Sequence, residues 1–365
     1  MLNLDAAQIV LSQGHVAGAS AAFGDRGGEA LIALFGLVRN VFASRPPELI
    51  TSPFIAFVPV DPAATDQLIS THGAATMMNA PADVATFISE HVDHSIIVAI
   101  AADQTFRAVA TKTAIDLETI ATTAVAYHRE NSIERIVAGP HDNVVPRLAT
   151  ISASNFAEPT FSGLDDALGL YRKTAADCGC QILAGSWAGG RDGPRLVLVN
   201  RPEAIMRDSL FQALATILRR AHVTREHTTD ATKPVDIHVA WVGSPAEAMI
   251  EIKWIGKSEK KPEKGPGLFG FPVSRAQEGA DQLADYLDRK KSSSSNSSVR
   301  GYLVVYDARR RNVEDPVTPI TREDALAFKN AEITYNPDHS NNRSDFAEPM
   351  RWFLEPRETH FLETE

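Results

Sequence analysis

Hydrophobic positions alternate between helical and strand-like spacing along the first part of the chain. Within residues 28–44, Leu31, Leu34, Phe35, Val38 and Phe42 recur at helical intervals. Pro46 and Pro47 end that run, because proline cannot continue the hydrogen-bond ladder. Residues 53–60 and 95–101 are short, densely apolar runs of the kind expected from buried strands. Residues 116–130 read as a helix and 135–138 as a further strand, so a layered α/β unit is expected over 1–170.

The pattern continues with a helix over 163–177 and two strands over 181–186 and 195–200. The Gly189-Gly190 to Pro194 stretch between those strands reads as a turn, since it lacks a phosphate-loop ending and dinucleotide-binding glycine spacing. After Pro202, residues 203–220 read as a helix with Leu210, Leu214, Ile217 and Leu218 on one side. Residues 235–242 and 249–255 read as strands of a hairpin turning at Gly243, Ser244 and Pro245. A charged, Gly/Pro-rich loop over 257–275 carries an apolar insert at 268–271. A helix over 277–291 and a strand over 302–306 follow. The tail is polar, with Trp352, Phe353 and Leu354 as its docking point. The domain boundary is expected between 160 and 200, giving a second domain over 171–365.

Composition is that of an ordinary globular protein, with 44% hydrophobic and 22% charged residues among 365, which excludes disordered and fibrous classes. No uncharged apolar run reaches the ~18 residues of a membrane span, and residues 30–43 are interrupted by Arg39. The start of the chain does not read as a secretory signal, and Cys178 and Cys180 cannot make a disulfide framework. A cytoplasmic protein is the expectation. Net charge is −10, yet residues 251–311 carry 13 Lys/Arg against 8 Asp/Glu, a local excess of +5. Five of the 11 lysines fall between Lys253 and Lys264. An acidic body with one basic segment suggests a localised surface for a polyanion; a solvated lysine-rich loop is the plainer alternative.

The candidate chemistry centres on Asp236 and Glu251-Ile252-Lys253. Side chains alternate on a strand, so Glu251 and Lys253 project together while Ile252 faces away. A hairpin of this length can bring Asp236 beside Glu251. Two carboxylates suit a hard divalent cation, and a lysine beside it can orient water or offset charge on a phosphoryl oxygen. Pro234-Val235-Asp236, fourteen residues, then Glu251-Ile252-Lys253 resembles the motif of the PD-(D/E)XK, restriction-endonuclease-like nucleases, with one extra residue between proline and aspartate. Gln282 and Tyr286 are similar to the Q-x-x-x-Y motif of the RecB-like branch, where i and i+4 share a helical face. The resemblance covers about residues 200–310.

The resemblance implies an αβββαβ core, preceded by the separate N-terminal α/β domain. It further implies a nuclease acting on DNA or RNA, with Mg²⁺ or Mn²⁺ held by Asp236 and Glu251, and products carrying 5′-phosphates. Lys253, Gln282 and Tyr286 complete the implied catalytic set. Glu203, on the same side of its helix as Leu210, Leu214 and Leu218, is either a third metal ligand or a carboxylate favoured by the helix N-terminus. Lys257, Lys260, Lys261, Lys264 and Arg275 are expected to lie along the nucleic-acid backbone at the mouth of a solvent-accessible cleft. Arg309, Arg310 and Arg311 read as contacts to phosphate or solvent. A bacterial restriction or phage-defence effector is the expected setting, with residues 1–170 sensing, oligomerising or docking a partner protein. Two alternatives stay open: an inactive nucleic-acid-binding or scaffold protein with a nuclease-like fold, and a small-molecule-binding protein acting through its N-terminal domain. His91, Asp93 and His94 make only a weak metal motif.

Overall fold

A computed structural model describes residues 4–101, 103–146, 153–176, 180–190, 192–227, 234–261, 263, 265, 267–293 and 298–362. The chain divides into two compact units, the first built on Met1–Gly163 and the second on Leu164–Val242 with Ala246–Glu365. Both are mixed α/β.

The first unit carries helices α1 (Leu4–Phe23), α2 (Asp25–Ser44) and α3 (Pro81–Glu90). Its strands are β1 (Phe54–Pro59), β2 (Thr76–Met78), β3 (Ser95–Ile100), β4 (Phe106–Thr111), β5 (Ala124–Glu130), β6 (Ile133–Ala138) and β7 (His141–Val145). They form one sheet in the order β2-β4-β3-β1-β5-β6-β7, with β1 and β3 parallel. Alternate residues of β1 serve two cores. Phe54 and Ala56 pack with Leu31, Leu34, Val38 and Phe42 of α2, whereas Ile55 and Phe57 pack with Ile69 and Ile120. Helix α2 is long and apolar enough to cross a membrane, yet half of it is buried in this core. The helix expected over 116–130 stops early. Asp116 caps a short helix by accepting from the Thr119 amide at 3.0 Å; the chain then enters β5, whose Ala56↔Tyr127 pairing with β1 overrides local helical spacing. His91 is used locally: its Nδ1 lies 2.9 Å from the Phe87 carbonyl oxygen, and its ring stacks on Phe87.

The second unit runs α4 (Glu203–Ile217), β8 (Ala221–His227), β9 (Val235–Trp241), β10 (Ala246–Glu259), β11 (Leu268–Phe271), α5 (Ser274–Ser293), β12 (Ser298–Ala308) and β13 (Met350–Phe353). The sheet order is β13-β12-β10-β9-β8, with β11 added alongside the far end of β10. Strands β8, β9 and β10 form an antiparallel meander, and α5 leads to β12, which is parallel to β10. Leu283 and Leu287 of α5 pack on Met249, Leu303 and Val305. The two strands expected over 181–200 are not present: Gln181–Ala184 is helical, and Trp187 and Leu198 form a single bridge.

Residues 257–275 are not a plain loop. Strand β10 continues to Glu259, and β11 folds back antiparallel on it with Lys257 opposite Gly270. Gly256 permits this course: its φ is 134°, and an added Cβ would lie 2.8 Å from the backbone of Ala308 on β12. The arginine run after β12 is also structural. Arg309 pairs with the buried Asp307 at 2.7 Å, Arg310 donates to the Leu354 carbonyl oxygen, and Arg311 pairs with Glu323 and Asp324.

The polar tail is anchored by Trp352, 1% exposed, whose ring lies 5.4 Å from Tyr171 and 5.3 Å from Tyr306. Trp352→Ala should therefore cost about 3–5 kcal/mol, measured by denaturant unfolding of the purified protein. A loss below about 1 kcal/mol would show that this ring does not hold β13 to the sheet.

Candidate active site

The site forms where two strands part company. Strand β9 pairs with β10 from Ile237↔Ile250 to Ala240↔Glu247, and β11 takes up pairing with β10 at Gly256. Between these ladders lie Glu251, Ile252, Lys253, Trp254 and Ile255. The carboxylate of Asp236 fills the first gap: its Oδ2 accepts from the Ile252 amide at 2.9 Å. Its Oδ1 accepts from Arg207 Nη1 at 3.2 Å, and Arg207 also pairs with Glu226 at 2.7 Å. Asp236 is thereby fixed with both oxygens engaged.

Glu251 and Lys253 project together, as strand alternation dictates. Lys253 Nζ is ion-paired with Glu251 Oε1, while Oε2 of Glu251 is buried without a hydrogen-bond partner. Lys253 runs across α5 at Gly279, where an added Cβ would meet its Cγ at 2.5 Å. Its Nζ also donates to Gln282 Oε1 at 3.4 Å; Gln282 Nε2 donates to the Tyr286 hydroxyl at 2.6 Å. The Tyr286 hydroxyl donates onward to the Pro234 carbonyl at 3.2 Å. This relay ties Lys253 to the start of β9. The pair does not line an open cleft, as the sequence had implied: Glu251 is 2% and Lys253 6% exposed, because α5 covers them.

Burial sets the electrostatics. It pushes the Glu251 carboxyl up to about 8, aided by the neighbouring charge of Asp236 and opposed by Lys253. Burial also raises Asp236 and, together with the charge of Asp236, Glu203. For Lys253 burial acts downward, but Glu251, Glu203 and Asp236 together hold its pKa above the ordinary value. The shifts of the two partners imply opposite things about the ion pair, and the surroundings explain why. Lys253 faces three carboxylates, whereas Glu251 faces one lysine and two like charges.

Five expected residues thus converge: Asp236, Glu251, Lys253, Gln282 and Tyr286. Glu203 begins α4 and lies 3.7 Å from Arg275. Lys260, Lys261 and Arg275 line a cleft of about 590 Å³ together with Glu203 and Arg207. Lys257 does not line it; its Nζ donates to the Val313 carbonyl at 2.7 Å, since the segment is strand and the pleat fixes its direction. Lys264 lies outside the described residues. Arg207 and Gly279 escaped the sequence reading. The only signals available were an arginine four residues after Glu203 and a lone glycine within a helix.

Among the described residues, no three His, Cys, Asp or Glu side chains gather around one metal position. Two carboxylates are nevertheless a sufficient protein share for Mg²⁺, which keeps several waters. The partnerless Glu251 Oε2 is the donor such a cation would satisfy. In comparisons with known proteins, the chain matches no family model, no curated protein and no solved structure.

A carboxyl raised from about 4.5 to about 8 adds stability that is complete below its unfolded-state pKa and disappears as pH rises through its folded one. Without metal, wild type should therefore lose stability relative to Glu251→Gln between pH 5 and pH 9, read as melting temperature in EDTA. A difference that stays constant across that range would mean Glu251 is ionised throughout.

Proposed function

We propose that this chain is a metal-dependent nuclease hydrolysing phosphodiester bonds in DNA, with RNA a second substrate to test. The observation that carries the reading is the buried, partnerless oxygen of Glu251, set beside Asp236 and Lys253 at the parting of two strands. The order helix, three antiparallel strands, helix, parallel strand supports it, as does the Lys253–Gln282–Tyr286 relay. The resemblance to restriction-endonuclease-like nucleases implies that order of elements and sets Gln282 and Tyr286 on one helical face near the substrate.

Asp236 and Glu251 would hold Mg²⁺ or Mn²⁺, with Glu203 a further carboxylate on the approach. The cation, when bound, supplies Lewis-acid stabilisation of phosphoryl charge and lowers the pKa of a bound water. Arg207 and Lys253 now each engage one carboxylate oxygen, of Asp236 and Glu251 respectively, and would yield it. Lys253 Nζ then orients the attacking water and offsets charge that accumulates in the transition state. Gln282 and Tyr286 are positioning residues, holding that ammonium at the parting of the strands. Lys260, Lys261 and Arg275 meet the phosphate backbone beyond it. A restriction or phage-defence effector, with the first unit sensing or docking a partner, is the setting we propose.

One observation favours a second reading. Arg207 and Lys253 already occupy one oxygen each of Asp236 and Glu251, as they would in a nucleic-acid-binding protein whose centre has lost activity.

Plasmid and RNA incubated with Mg²⁺, Mn²⁺ or EDTA separate the two readings. Wild type should cleave with metal. Lys253→Ala and Glu251→Gln should lose ~10²–10³-fold or more in rate while retaining nucleic-acid binding. No cleavage by wild type, or undiminished cleavage by either variant, overturns the nuclease reading.

Glu251 must shed its proton to bind a cation, so Mg²⁺ affinity should rise by about tenfold per pH unit up to about 8 and then level off. Titration calorimetry reads this without any substrate. A pH-independent affinity would place the cation away from Glu251.

A further inference from the structure

The cleft beside the acidic cluster carries more than positive charge. Phe269 and Phe271 share one face of β11, with ring centroids 5.0 Å apart, and Trp254 lies 4.1 Å from Phe271. The Arg275 guanidinium sits 4.8 Å from the Phe271 ring centroid and 5.6 Å from that of Trp254. Trp254 is buried as a wall, while Phe269 is 55% exposed at the mouth. The same cleft of about 590 Å³ is lined by Arg201, Lys260 and Lys261, and through Glu203 and Arg207 it adjoins Asp236.

We infer that this cleft binds an unpaired nucleotide of a single strand, its base stacked on Phe269 and its phosphates against Lys260 and Lys261, an inference that rests on the proposed nuclease reading for its purpose. The face of an aromatic ring can stack only on a base that has left the duplex, whereas lysines alone would serve either form. The volume lies within the range that encloses a small organic ligand and cannot admit a duplex segment. Cations beside an exposed ring complement a phosphate joined to a base, and Arg275 already covers the inner rings, leaving Phe269 as the platform. A strand seated there leads its backbone along Arg207 and Glu203 towards Asp236 and Glu251. The site therefore selects single-stranded or locally unpaired nucleic acid.

Binding can be read without cleavage. Fluorescence anisotropy in EDTA would compare a labelled thymidine 12-mer, a duplex of equal length and competition by free thymidine monophosphate. Wild type should prefer the single strand. Phe269→Ala should weaken that binding by about 5- to 150-fold and leave duplex binding unchanged, while Phe269→Tyr retains it. Replacing Lys260 and Lys261 by alanine should lower the slope of log affinity against log salt by about 0.7 per lost phosphate contact. Equal binding of single strand and duplex, or an unaltered affinity in Phe269→Ala, overturns the inference. Free nucleotide competing as well as the 12-mer also overturns it, since the cleft would then serve a small molecule. Selective strand binding in a protein that cleaves nothing leaves this inference standing and removes the nuclease reading; cleavage without strand selectivity does the reverse.

Discussion

The hydrogen bond from the Ile252 amide to the Asp236 carboxylate is the contact on which the second unit's site is built. In an uninterrupted sheet that amide would be satisfied by a carbonyl of the neighbouring strand. Here β9 has already left the ladder at Ile237, and a side chain takes the place of backbone. The substitution pins a carboxylate at the height of Glu251 and Lys253 without a loop's freedom. It also opens the width of one strand beside β10, and Gly256 then lets β10 bend towards β11. The acidic cluster and the aromatic cleft are thus consequences of a single departure from sheet regularity.

Charge balance keeps that departure tolerable. Ionised carboxylates in a dry interior are costly unless paired and hydrogen-bonded. Asp236 has Arg207 and an amide; Glu251 has Lys253 on one oxygen and nothing on the other. Burial and the neighbouring Asp236 charge therefore raise the Glu251 carboxyl, and proton uptake relieves the cost of that burial. Lys253 is held by three carboxylates and by Gln282, so its ammonium is the more firmly charged partner.

Structural arginines show how far charge alone misleads. Arg309, Arg310 and Arg311 look like a phosphate-binding run. Instead Arg309 pairs with Asp307, Arg310 donates to the Leu354 carbonyl oxygen, and Arg311 pairs with Glu323 and Asp324. Lys257, in the basic segment, likewise donates to a backbone carbonyl. Lys260, Lys261 and Arg275 differ in facing a common cleft with aromatic rings.

Local spacing by itself determined what depends on short-range geometry. Strand alternation put Glu251 and Lys253 on one side, and the i, i+4 interval put Gln282 within reach of Tyr286, because both follow from backbone periodicity alone. The α/β character of both units was legible for the same reason. Tertiary structure decided the rest. Strand β8 has a largely polar sequence in which only Ala221 and Val223 alternate with polar residues, too short a pattern to mark a strand without its pairing with β9. Residues 124–130 have helical spacing and became β5 because β1 offered a partner. The direction of Lys257, the pairing of Arg207 with Asp236 and the need for glycine at 279 depend on residues distant in sequence. Spacing fixes which side chains of one element face together; only packing between elements fixes what they meet.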